Sequence, residues 1–173
     1  MHNQSRPESK TTLNPGSVGA QGRLSSLNLW SGILFGLGLV SFVDETIFHQ
    51  LLHWHHFYDK STTSIGLISD GLFHAFSWFA TIGSLFMLAH LLRLNSLHKK
   101  RWWGGVLLGG GLFQLYDGTI QHKLMLLHQI RYVENVIIYD IIWNLFAILL
   151  VIGGVTLIIQ TKHTGAASTY ADS

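Results

Sequence analysis

The sequence predicts an all-α, four-helix transmembrane bundle, and three observations lead there. Of 173 residues, 48% are hydrophobic and only 12% charged, with a mean hydropathy of +0.32; this is the composition of a membrane protein. Four apolar runs, 29–53, 66–92, 102–127 and 137–160, each have about the length a helix needs to cross a hydrocarbon core of about 30 Å. The chain also aligns with itself. A shift of 73 residues lays WSGILFGLGLVSFVDETIFHQLLHWH (30–55) over WGGVLLGGGLFQLYDGTIQHKLMLLH (103–128), placing Asp44 on Asp117, His49 on His122 and His55 on His128.

Residues 1–27 are polar and rich in Ser, Gly, Asn and Gln, without the apolar stretch of a secretory signal, so they read as a disordered cytoplasmic tail. The membrane domain is then 28–161, with repeat one at about 29–92 and repeat two at about 102–160, and 162–173 form a second cytoplasmic tail. The first and third spans correspond at the shift of 73; the second and fourth correspond at 70, with Asp70 on Asp140 and His74 on Asn144. Two tandem two-span hairpins of equal orientation predict a pseudo-twofold axis along the membrane normal. Gly32/Gly36 and Gly105/Gly109, four apart inside spans, read as close-packing positions between helices rather than phosphate-binding loops.

A sequence pI of about 9.0 reflects topology, not nucleic acid. Arg23 precedes span one, Arg93, Lys99, Lys100 and Arg101 lie between spans two and three, and Lys162 follows span four; by the positive-inside rule both termini are cytoplasmic. The localisation is therefore a cell inner membrane, crossed several times. Absence of cysteine excludes disulfides, thiolate-held metals and covalent c-type haem.

Ionisable residues inside spans are costly and by default mark a functional site. Here they gather at the outer ends of all four spans. Several imidazoles with carboxylates at one depth match the ligand chemistry of zinc, copper or non-haem iron. The candidate metal ligands are His49, His55, His74, His122, His128, Asp70 and Asp140, with Asp44, Glu45, Asp117 and Asn144 around them to orient or neutralise. On an α-helix His122 stands about 140° round from Asp117 at about 100° per residue, so one span is not expected to aim all its polar groups at one centre. Glu45 and His74 correspond to Gly118 and Asn144, making the first half richer in ligands.

FVDETIFHQLLHWHH, DGLFHAFSW and LYDGTIQHKLMLLHQIR resemble the signature segments of a bacterial family of small four-span membrane proteins classified only as a domain of unknown function. The likeness covers about residues 30–160 and implies the fold and an outer His/Asp cluster. In that family the third segment is usually richer, with an acid before His122 and paired histidines near its end; Gln121 and His128–Gln129 stand there in this chain. That implies a less complete second half-site.

The functional expectation is an integral membrane protein holding one or two transition-metal ions, as a redox enzyme or a respiratory accessory protein. One alternative is non-covalent haem b between His49 and His122; another is a proton- or ion-translocating relay. The inner halves, such as ILFGLGL, carry almost no ionisable groups for such a path. The expected surroundings are lipid, with a second copy or a respiratory complex as candidate partner and no nucleic acid.

Overall fold

The structure, a computed structural model, describes residues 15–171. It is all-helical, with no strand among the described residues. Helix α1 (Pro15–Asp44) runs on as a π-helix (Glu45–Leu51); α2 is Thr63–Arg93; α3 (Lys99–Leu115) runs on as a second π-helix (Tyr116–Leu124); α4 is Ile137–Ala171. Three of these rods, over Gly19–Leu51, Thr63–Arg93 and Ile137–Thr161, are long and apolar enough to cross a membrane.

The third rod falls short of that measure for a physical reason. Gly104, Gly105, Gly109, Gly110, Gly111 and Gly118 dilute its hydropathy, and Gln114, Asp117, Gln121 and His122 lower it further. Those residues are nonetheless buried. A helix walled by protein needs less apolar surface than one bathed in lipid.

The rods follow the order α2, α1, α3, α4 across the molecule. The backbones of α1 and α3 lie against each other at the centre, α2 packs on α1 and α4 on α3. Glycine makes the central contact possible: a Cβ on Gly36 would fall on the Val106 carbonyl, and one on Gly109 on that of Ile33. Outward, Leu72, Phe79, Phe86, Ile142 and Leu149 are exposed, as lipid-facing residues are.

The two ends of the chain depart from the expected tails. Residues 15–27 are helical, continuing α1, and residues 162–171 continue α4. Once a span has nucleated a helix, adding turns needs no new nucleus, and Pro15 suits a first helical position. The rest of both expected tails lies outside the described residues. At this end of the molecule Asn28 donates to the carbonyls of Leu24 and Ser96 and accepts from His98 N–H, tying α1 to the connection between α2 and α3.

At the other end two connections clasp. Asp59 N–H donates to the Leu127 carbonyl, Lys60 Nζ to that of Met125, and Tyr132 Oη to Asp59 Oδ2. Burial and the Asp59 carboxylate push the Tyr132 phenol up to about 12, so it stays a donor. The clasp roofs the polar layer beneath it.

Candidate metal centre

The site begins with a change of helical pitch. Leu52 N–H donates to Ile47 and Met125 N–H to Ile120, each five residues back. Such i→i+5 turns place residues five apart on one face, where an α-helix sets them about 140° apart. Asp44 Oδ2 thus comes within 3.8 Å of His49 Nε2, Gln50 Nε2 donates to Glu45 Oε1 at 2.7 Å, and Asp117 Oδ2 lies 3.1 Å from His122 Nε2. The angular separation expected for Asp117 and His122 is corrected by this pitch: a π-turn aims both into the centre.

Each π-helix ends at a non-glycine residue in the left-handed region, His53 at φ 50° and Leu126 at φ 51°. Across these ends Trp54 N–H reaches Phe48 O and Leu127 N–H reaches Gln121 O, each six residues back, which is how a helix C-terminus turns its chain aside. The turn brings His55 and His128 inward. His55 Nδ1 donates to the Ile130 carbonyl at 3.0 Å and His128 Nδ1 to that of Phe57 at 2.8 Å. Their rings stack, with centroids 4.5 Å apart and planes 4° from parallel.

A carbonyl only accepts, so both rings carry a proton on Nδ1, and the neutral ring leaves Nε2 as a lone-pair donor. His122 stands edge-on to His128 at 4.7 Å and to His55 at 6.1 Å. Ring nitrogens of His55, His122 and His128 lie within 4.8 Å of one another, all three residues buried. Both His122 nitrogens and His128 Nε2 lack an aligned hydrogen-bond partner. Burial, then the neighbouring His128 and His49, push the His55 imidazole down to about 2. It is therefore neutral, as a ligand must be. Asp117 closes the set, its two oxygens 3.1 Å from His122 Nε2 and 3.5 Å from His128 Nε2.

Beside this lies an oxygen-rich group. His49 Nδ1 is 3.0 Å from both Asp70 Oδ1 and Glu45 Oε2. It donates to Asp70, while Glu45 Oε2 has no aligned partner. Asp70 is further held by Phe57 N–H at 2.7 Å and by His56 Nδ1 at 2.6 Å. The His49 ring sits 4.4 Å from that of His55, so the two groups adjoin.

Of the residues expected at the site, His49, His55, His122, His128, Asp44, Glu45, Asp70 and Asp117 are all buried and gathered in one layer. His74, half-buried against Phe42, is outside the buried layer but lines a cavity of about 380 Å³ together with Glu45 and Gln50. Asp140 turns to Lys123 at 2.6 Å instead of to a histidine, and Asn144 donates to the Asp140 carbonyl and sits over Gly118. The ring contacts of His122 and His128 run to His55 and His49 of the first hairpin. His56 anchors Asp70 through Nδ1 at 2.6 Å, and its one sequence signal is adjacency to His55.

A cavity of about 520 Å³ lined by His53, Trp54, His55, His56, Asp59 and Tyr132 reaches the cluster at His55. Three imidazoles and a carboxylate are donors for zinc, copper or iron, and a connection to solvent fits ion exchange at such a site. No curated protein and no solved structure matches the chain. Residues 31–161 match the family described as predicted membrane protein (DUF2243), which spans the helices and every residue of the cluster, and the chain belongs to that family.

Proposed function

We propose that this protein is a membrane metalloprotein that holds a transition-metal ion on His55, His122 and His128, with Asp117 as a further donor. One observation carries the reading: buried ring nitrogens of His122 and His128 have no aligned partner and converge with His55. Polar groups left unpaired in an apolar interior are costly, and a cation relieves that cost here. Carbonyl hydrogen bonds on the far nitrogens of His55 and His128 are the kind of support that fixes a ligating ring.

Two equivalent hairpins build the centre in this reading. Pairs 73 positions apart share conformation, as His53 and Leu126 do, or have partners that are themselves 73 apart, as His55 and His128 do. The cluster faces the outer side of a cell membrane, opposite the basic end at Arg23, Arg93 and Arg101. Haem has less support, because the stacked rings of His55 and His128 occupy the space between His49 and His122.

The test is elemental analysis of the full chain purified in detergent from a host membrane, beside a His122→Ala/His128→Ala variant. At least one equivalent of copper, iron or zinc in the wild type, absent from a variant of unchanged helicity, is the expected result. Equal metal content in both proteins would refute the assignment, and a Soret band would reinstate haem.

A further inference from the structure

The oxygen-rich group next to the histidines has a charge problem of its own. Asp44, Glu45, Asp70 and Asp117 are buried, and no lysine or arginine is buried with them among the described residues. Glu45, His49 and Asp70 together carry a charge of −1 if the imidazole is protonated and −2 if it is neutral. A single proton on His49 Nδ1 serves one carboxylate, and it serves Asp70. Glu45 Oε2, also 3.0 Å from that nitrogen, is left buried without an aligned partner. A buried, uncompensated carboxylate is among the most costly features a fold can carry.

The other half of the molecule handles the same positions differently. Gly118 stands where Glu45 is matched, removing one acid, and Asp140, matched to Asp70, pairs with Lys123 Nζ at 2.6 Å. Lys123 in turn is matched to Gln50, which is uncharged and bonds Glu45 Oε1. One half thus brings its own cation. The half with the extra carboxylate has no lysine or arginine there and meets its acids with His49 and His56 alone.

We infer that Glu45, His49 and Asp70 form a second cation site, chemically unlike the histidine site, that takes a harder divalent ion such as Mn²⁺ or Fe²⁺ in place of the His49 Nδ1 proton. Two carboxylates and one imidazole make a harder, more oxygen-rich donor set than three imidazoles, so Mn²⁺ and Fe²⁺ suit it better than they suit the histidine site. His56 and Phe57 N–H hold Asp70 from behind, and Gln50 holds Glu45, so both donors are already oriented. The ring contact of 4.4 Å between His49 and His55 makes the two sites neighbours within one binuclear centre. This rests on the metal reading above, of which it specifies the second ion.

The experiment strips the purified full chain with chelator, reloads it with Zn²⁺ alone, Mn²⁺ alone or both, and counts bound metal after desalting. Wild type reloaded with both is expected to hold one equivalent of each. Glu45→Gln, which keeps an acceptor for Gln50, and Asp70→Asn should lose the manganese and keep the zinc; His122→Ala/His128→Ala should do the reverse. Thermal melting in detergent confirms folded variants. If wild type holds zinc but no manganese, or if Glu45→Gln and Asp70→Asn both keep their manganese, the second site is overturned while the histidine site stands. Absence of zinc from wild type overturns the histidine site, whatever manganese does.

Discussion

Single residues divide here into those that line the proposed metal centre and those that bend the chain to deliver it. His53 and Leu126 belong to the second kind. Each adopts a left-handed conformation that costs a side-chain-bearing residue about 1–2 kcal/mol, and glycine would adopt it freely. Leu126→Gly, at an exposed position, is therefore expected to raise the melting temperature in detergent without changing metal content; a lower melting temperature would show that the side chain itself matters. Asp117 belongs to the first kind, lying under two imidazoles at 3.1 and 3.5 Å. Asp117→Asn should weaken metal affinity by at least about 10–100-fold, the range seen when even a group that only supports a metal ligand is lost. Competition against a chromophoric chelator reads that shift directly.

At the level of helices, close approach and pitch decide the architecture. Gly36→Ala pushes a Cβ into the Val106 carbonyl and should cost about 1–3 kcal/mol as an overpacked contact, with loss of monodispersity on gel filtration. Gly71→Ala meets no neighbour and should be neutral or gain about 0.5–1 kcal/mol in helix propensity. Similar behaviour of the two variants would mean α1 and α3 are not held by this contact. Much of this level was legible beforehand: the glycines four apart announced a close helix contact, and the ionisable residues at the spans' outer ends announced a buried cluster. The pitch was not. Period counting assumes 3.6 residues per turn, so it set Asp117 and His122 on different faces, whereas the π-turn joins them. The neighbours of His74 and Asp140 lay beyond the reach of that counting for the same kind of reason. Residue type and depth nominate a ligand, but only packing shows that Phe42 faces His74 and that Lys123 reaches Asp140 first.

For the molecule as a whole, the membrane makes these polar contacts the decisive ones, because apolar surface gains little by leaving lipid for protein. The reciprocal bonds from His55 to Ile130 and from His128 to Phe57 then have a temporal meaning. Neither hairpin contains both a stacked imidazole and the carbonyl that orients it, so a nascent chain has no competent centre until residue 130 has been synthesised and the two hairpins have met. Metal capture would then report completed assembly, and a half-made protein would carry none. Severing the chain in the connection near Asn95 and co-producing the fragments should restore metal binding only when both are present, with either fragment alone lacking zinc after purification. Zinc retained by a lone fragment would place the site within one hairpin. In its architecture, the centre is a seam between two halves, and the ion it holds would be the stitch.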